Sequence, residues 1–105
     1  MSHINREREF IILLLRDNNN NQAIALLQTA TDQQVTALSE IAFNLRNLPV
    51  KSAEKYNSFK TSLVLKQLSS KSRTNKEKSE LIARSYRSII KNLVLARPIL
   101  KAVIS

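Results

Sequence analysis

The sequence predicts an all-α protein, a compact bundle of about five helices, and three observations predict it. Gly is absent from all 105 residues, which removes the positive-φ positions on which tight hairpins, Rossmann turns and phosphate-cradling loops depend. Apolar residues recur at three- and four-residue spacing in two long stretches, the period of an amphipathic helix. Two capping boxes, Thr31-Asp32-Gln33-Gln34 and Thr74-Asn75-Lys76-Glu77, each mark a helix start. The length suits one modest core rather than two, and 43% apolar with 24% charged residues suits a packed fold rather than disorder. An orthogonal bundle, or a helical hairpin packed on a smaller one, is the expected arrangement.

The first helix is expected over Ile4 to Arg16, with Ser2 or Asn5 as cap and Glu7 and Glu9 near its positive end. Its run of six apolar residues, Phe10 to Leu15, leaves no polar face, so it should be the most buried segment; a strand is the rival reading of so short a run. Asp17 to Asn21 is a breaker in which Asn, which tolerates left-handed geometry, stands in for Gly. A short helix from Gln22 to Thr29 buries Ala23, Ile24, Leu26 and Leu27. Thr31 caps a third, whose stripe is Val35, Leu38, Ile41, Ala42, Leu45 and Leu48.

Pro49 lacks a backbone donor and pushes Leu48 from helical geometry, so the chain turns within Asn47 to Lys55. Ser52 then caps a fourth helix reaching Leu68, with Ala53, Tyr56, Phe59 and Leu63 inward. A basic polar linker, Ser69 to Asn75, leads into the longest helix, Asn75 to Ala96. Its core stripe is Leu81, Ile82, Tyr86, Ile89, Ile90, Leu93 and Val94, and its polar stripe is Glu80, Arg84, Arg87 and Lys91. Glu80 and Arg84 have the spacing of an i, i+4 ion pair. Pro98 ends or kinks this helix, leaving an apolar tail over residues 99–104 that either packs back on the bundle or is offered to a partner or a membrane interface.

Charge divides the chain at the same turn. Residues 1–50 carry four basic and five acidic side chains and are near neutral; residues 51–105 carry nine Lys and four Arg against Glu54, Glu77 and Glu80, a net of +10. Within one small domain, the first half reads as core and self-association, the second as a binding half for a polyanion. The candidate phosphate-contacting residues are Lys66, Lys71, Arg73, Lys76, Lys78, Arg84, Arg87 and Lys91. Tyr56 and Tyr86 lie on the apolar stripes and read as core rather than stacking platforms. No helix start carries the Arg, Asn and Gln set of a major-groove reader, so binding without sequence preference is expected.

Catalysis is poorly supplied. The one His, His3, sits in a terminus expected to fray, and the chain has no Cys. The few helical carboxylates are accounted for by caps and i, i+4 pairs. The inventory therefore predicts a non-enzymatic protein with no cofactor and no metal. The Phe10 to Leu15 run lacks a preceding basic region and a cleavage site, and is far shorter than the roughly 20 residues that span a bilayer. An intracellular protein of the nucleus or cytoplasm is expected.

Several stretches in sequence resemble a known family. An N-terminal helix ends LLLR; ATDQQVTALSEIAFNLRNLPV follows, with Asp-Gln-Gln after a small residue ahead of an apolar helix running into Asn-Leu-Pro. Then come the basic YNSFKTSLVLKQLSSKSRTNKEKSELI and the Pro-containing apolar end LVLARPILKAVIS. In order and spacing, over nearly the full length, this is similar to small basic proteins encoded by Polinton/Maverick and adintovirus-like elements. Members of that family are denser in Lys and Arg between the fourth and fifth helices, and often end in Gly-rich apolar tails likened to an adenovirus core protein, where this chain has no Gly. The resemblance implies a non-enzymatic, genome- or virion-associated protein, with Lys71, Arg73, Lys76 and Lys78 matching the family's Lys-rich stretch. A different class also fits the residues: a protein-interaction adaptor or self-assembling module whose helical bundle docks an acidic protein surface. A homo-oligomer suits either reading, and a membrane-interface binder using the last helix is the weaker third.

Overall fold

The central element is an amphipathic helix whose start and buried face are both written in its residues. In the computed structural model, which describes residues 3–16, 20–48 and 56–104, α4 (Asp32–Arg46) is the longest helix at 15 residues. Its capping box forms as read: the Gln34 N–H donates to Thr31 Oγ1 at 3.2 Å, and the Thr31 N–H donates to Gln34 Oε1 at 2.9 Å. Val35, Leu38, Ile41, Ala42 and Leu45 are buried on one face. Around α4 are α1 (His3–Arg6), α5 (Ser58–Thr61), α6 (Leu63–Leu68) and α7 (Asn75–Arg84). A second group, α2 (Arg8–Leu14), α3 (Asn20–Gln28) and α8 (Tyr86–Leu95), packs with α3 in the middle, and α9 (Arg97–Ile104) follows against α8. One hydrophobic cluster draws on both halves of the chain.

There are thus nine helices among the described residues where about five were expected. Three expected helices are each broken in two, and the tail forms a helix of its own. The first breaks at Glu7 (φ −103°, ψ 32°), although Glu7 N–H to His3 O and Ile11 N–H to Glu7 O continue the backbone bonding at 2.9 and 3.1 Å. The two pieces face different neighbours, α1 on α4 and α2 on α3. The run is also not buried all round: Phe10, Ile11, Leu14 and Leu15 are inside, while Ile12 and Leu13 are half-exposed.

The fourth breaks at Ser62, whose extended backbone (φ −68°, ψ 117°) ends α5 while its hydroxyl accepts the Leu65 N–H and caps α6. That break resets the helical phase. Val64, Leu65 and Leu68 go inward, and Leu63, expected inside, is 65% exposed. The expected cap Ser52, inward Ala53 and the turn at Pro49 lie outside the described residues, as do Asp17 to Asn19.

The fifth breaks at Ser85 (φ −113°, ψ 24°), which directs α7 onto α4 and α3, and α8 onto α3 and α6. Leu81, Ile82, Ile89 and Leu93 are buried as expected, Tyr86 and Ile90 partly so, but Val94 is 44% exposed. Pro98 sits in the first turn of α9, where its missing N–H leaves no helical bond unmade. The start of the tail is docked: Leu100 is buried, Ile99 packs on the core, and Arg97 Nε donates to the Leu15 carbonyl at 2.9 Å, a cation on an orphan acceptor at the end of α2. Without Gly, helix ends close at negative φ; no described residue has a positive one. At Asn47 the side-chain amide donates to the Phe43 carbonyl at 2.7 Å instead.

Candidate nucleic-acid interface

The eight candidate cations lie on α6, the segment after it, α7 and α8. Lys66 is exposed on α6, Lys71 is exposed and Arg73 half-exposed in the linker, Lys76 and Arg84 are exposed on α7, and Arg87 and Lys91 on α8. Arg84, Arg87 and Lys91, at spacings of three and four, are exposed on either side of the Ser85 break. Among the described residues none of the eight is ion-paired with a carboxylate. The expected Glu80–Arg84 pair does not form; Arg84 Nε donates to the Glu80 backbone carbonyl at 3.4 Å. The Arg87 guanidinium lies over the Tyr86 ring, 5.8 Å from its centroid, and that ring packs partly into the core. Tyr56 likewise stacks on the buried Phe59, with centroids 5.7 Å apart and planes 10° from parallel.

Side-chain hydrogen bonds order the linker that carries Lys71. Ser69 Oγ donates to the Lys66 carbonyl, Ser70 and Ser72 hydroxyls meet at 2.9 Å, and Arg46 Nη1 reaches Ser69 Oγ at 3.4 Å. Thr74 and Glu77 then close the second capping box: the Glu77 N–H donates to Thr74 Oγ1 at 3.1 Å and the Thr74 N–H to Glu77 Oε1 at 2.9 Å. The bond from the Thr74 backbone, then that from its side chain, and the charge of Arg73 hold the Glu77 carboxyl below its ordinary value.

Lys78 is unlike the others. It is 7% exposed and turned inward, its Nζ donating to Ser39 Oγ on α4 at 2.7 Å. Burial lowers its pKa from the ordinary lysine value, because desolvation penalises the ammonium. One turn earlier Asn75 Nδ2 donates to Thr36 Oγ1 at 3.2 Å, so α7 is fastened to α4 at two successive turns. The sequence groups Lys78 with Lys71, Arg73 and Lys76 as a candidate phosphate contact. Its place three and four residues before Leu81 and Ile82 was the signal that it shares their buried face.

These fastenings border a cleft of about 300 Å³ between α4 and the start of α7. Thr36, Ser39, Glu40 and Phe43 form its α4 wall, at helical spacing; Ser69 and Lys71 come from the linker, and Lys78 from α7. Phe43 is 48% exposed there. It lies off the apolar stripe of α4, which marks an outward aromatic in the sequence, and the sequence reading passed it over. Glu40 is held toward α1, accepting the His3 backbone N–H at 2.9 Å, with His3 Nδ1 3.4 Å from the same oxygen. His3, expected in a fraying end, is therefore docked. The Arg46 Nε is buried without a hydrogen-bond partner among the described residues.

Among the described residues no group of three or more His, Cys, Asp or Glu is placed to hold a metal ion, and no helix is long and apolar enough to cross a membrane. Comparisons with protein-family models, curated proteins and solved structures gave no match.

Proposed function

We propose that this chain is a non-enzymatic helical protein that binds nucleic acid, with little sequence preference, through its basic second half. On the resemblance described above, it would be encoded by a virus or virus-like mobile element and associated with the genome or virion. One observation carries the reading: Lys66, Lys71, Arg73, Lys76, Arg84, Arg87 and Lys91 are all at least partly exposed, and none is ion-paired with a carboxylate among the described residues. Cations left unneutralised by their own protein are available to phosphates, whose released counterions drive association. The test is binding to a random-sequence DNA duplex and to a single-stranded RNA across a salt series. If all seven engage a duplex, the logarithmic salt slope approaches about −6, at about −0.9 per phosphate contact. No binding at low salt would overturn the proposal.

A second reading, an adaptor that docks an acidic protein surface or its own copies, is favoured by Leu63, 65% exposed on α6 beside exposed Lys66. Such an assembly, held by apolar contacts, persists at about 0.5 M salt, where electrostatic reach falls to a few Å. Against the interfacial membrane reading, Ile99 and Leu100 at the start of the tail pack on the core.

A further inference from the structure

Resting on the nucleic-acid reading, we propose that the cleft between α4 and α7 holds one unpaired nucleotide of a single strand, with its base on the Phe43 ring and its phosphate on Lys71 and Lys78. Three features of the site converge on this ligand. A lysine left only 7% exposed normally has a carboxylate partner, yet among the described residues the Lys78 Nζ at the cleft has the Ser39 hydroxyl at 2.7 Å and no ion pair. Its Nζ carries three donors, so an anion in the cleft completes its coordination. Lys71 on the rim adds a second cation, and Ser39, Ser69 and Thr36 supply hydroxyls that serve as donors to phosphate oxygens.

The third feature is Phe43. A large aromatic 48% exposed inside a cationic cleft offers its face to a base, and such stacking tolerates any base. Glu40, the one carboxylate in the lining among the described residues, would repel a phosphate, but it is turned toward α1 by the His3 N–H. The volume, about 300 Å³, is at the lower limit of small-molecule sites and suits one residue of a strand, not a duplex. A base paired in a helix cannot reach Phe43, so the cleft adds affinity for single strands only.

The experiment measures fluorescence anisotropy of a labelled oligothymidylate, its abasic counterpart with the same phosphates, and a random duplex, against the wild-type protein, Phe43→Leu and Lys78→Met. Phe43→Leu is expected to weaken oligothymidylate binding about 5- to 150-fold, the range of one stacked base, while abasic and duplex binding stay unchanged. Lys78→Met is expected to weaken oligothymidylate and abasic binding and to flatten their salt slope by about 0.7; a melting temperature at or above that of the wild type shows that the loss is not unfolding. Excess thymidine monophosphate separates a free nucleotide from a strand: failure to displace the oligomer supports the strand, whereas displacement at equal concentration overturns it.

Oligothymidylate binding insensitive to Phe43, or abasic binding as tight as oligothymidylate binding, would overturn the cleft assignment and leave an acidic protein segment as its occupant. Salt-dependent duplex binding that survives such a result leaves the proposed function standing. Absence of all nucleic-acid binding removes both.

Discussion

Replacing Lys78 with Met should make the protein more stable at neutral pH. Met retains most of the stem that runs between α7 and α4 and removes the ammonium. The change forfeits the bond from Nζ to Ser39 Oγ at 2.7 Å, and a hydrogen bond to a charged group contributes about 1.5–3 kcal/mol. Ser39 is half-exposed, so water reaches its hydroxyl and the loss falls near the lower figure. Against it stands the partial desolvation of an ammonium that lines the cleft and has no ion-paired carboxylate among the described residues, a cost below the several kcal/mol of a fully buried ion. The balance favours the variant by up to about 1 kcal/mol, which raises Tm by up to about 8 °C in a domain of this size.

The sign with pH follows from the lowered pKa. Below its folded pKa, Lys78 carries the cost of a partly desolvated charge. As pH rises through that value toward 10.5, the unfolded chain retains a proton that the folded one has released, and folding of the wild type gains. The assay is paired thermal denaturation of both proteins from neutral pH to 10.5, reading the difference between them so that titrations common to both cancel. The Met variant's advantage should shrink across that interval. A variant that melts lower at neutral pH, with an offset constant to 10.5, would refute the claim that the ammonium is buried without compensation.

Changing Lys71, Arg73 and Lys76 together to Gln should reduce the duplex-binding salt slope by about 2.7 while leaving helicity, read by circular dichroism, intact; an unchanged slope removes that cluster from the interface. Glu77→Gln keeps an acceptor for the Thr74 N–H but loses the charge, so the wild type should melt higher at neutral pH and converge with the variant as pH falls below 4.5 and through the lowered folded value. Thr74→Ala should cost about 1 kcal/mol by denaturant titration, through the lost cap of α7. Phe59→Ala, emptying a fully buried site, should cost about 3–5 kcal/mol, whereas Leu63→Lys, on the exposed side of the Ser62 break, should stay within about 0.5 kcal/mol.

What the residues alone determined is clearest in α4. Helix start, buried stripe and end at Asn47 are local properties, readable from a capping box and a 3.6-residue period. The same holds for Thr74 as the start of α7, and for the outward set Arg84, Arg87 and Lys91. The breaks at Glu7, Ser62 and Ser85 carry neither Gly nor Pro. At Glu7 the two halves of one apolar segment pack on different helices, α1 on α4 and α2 on α3, and at Ser85 α7 reaches α4 where α8 reaches α6, choices made between elements distant in sequence; at Ser62 both halves stay on α4 and the break changes only which side chains face it. One break then moves later side chains around the helix, which is why Leu63 faces outward. Lys76 and Lys78 are alike in composition. Spacing puts Lys78 on the face of Leu81 and Ile82, but the approach of α4 decides that its ammonium meets Ser39, within the cleft that also exposes Phe43, while that of Lys76 stays in water. Charge and periodicity are properties of the chain, whereas burial of a particular group depends on what packs against it.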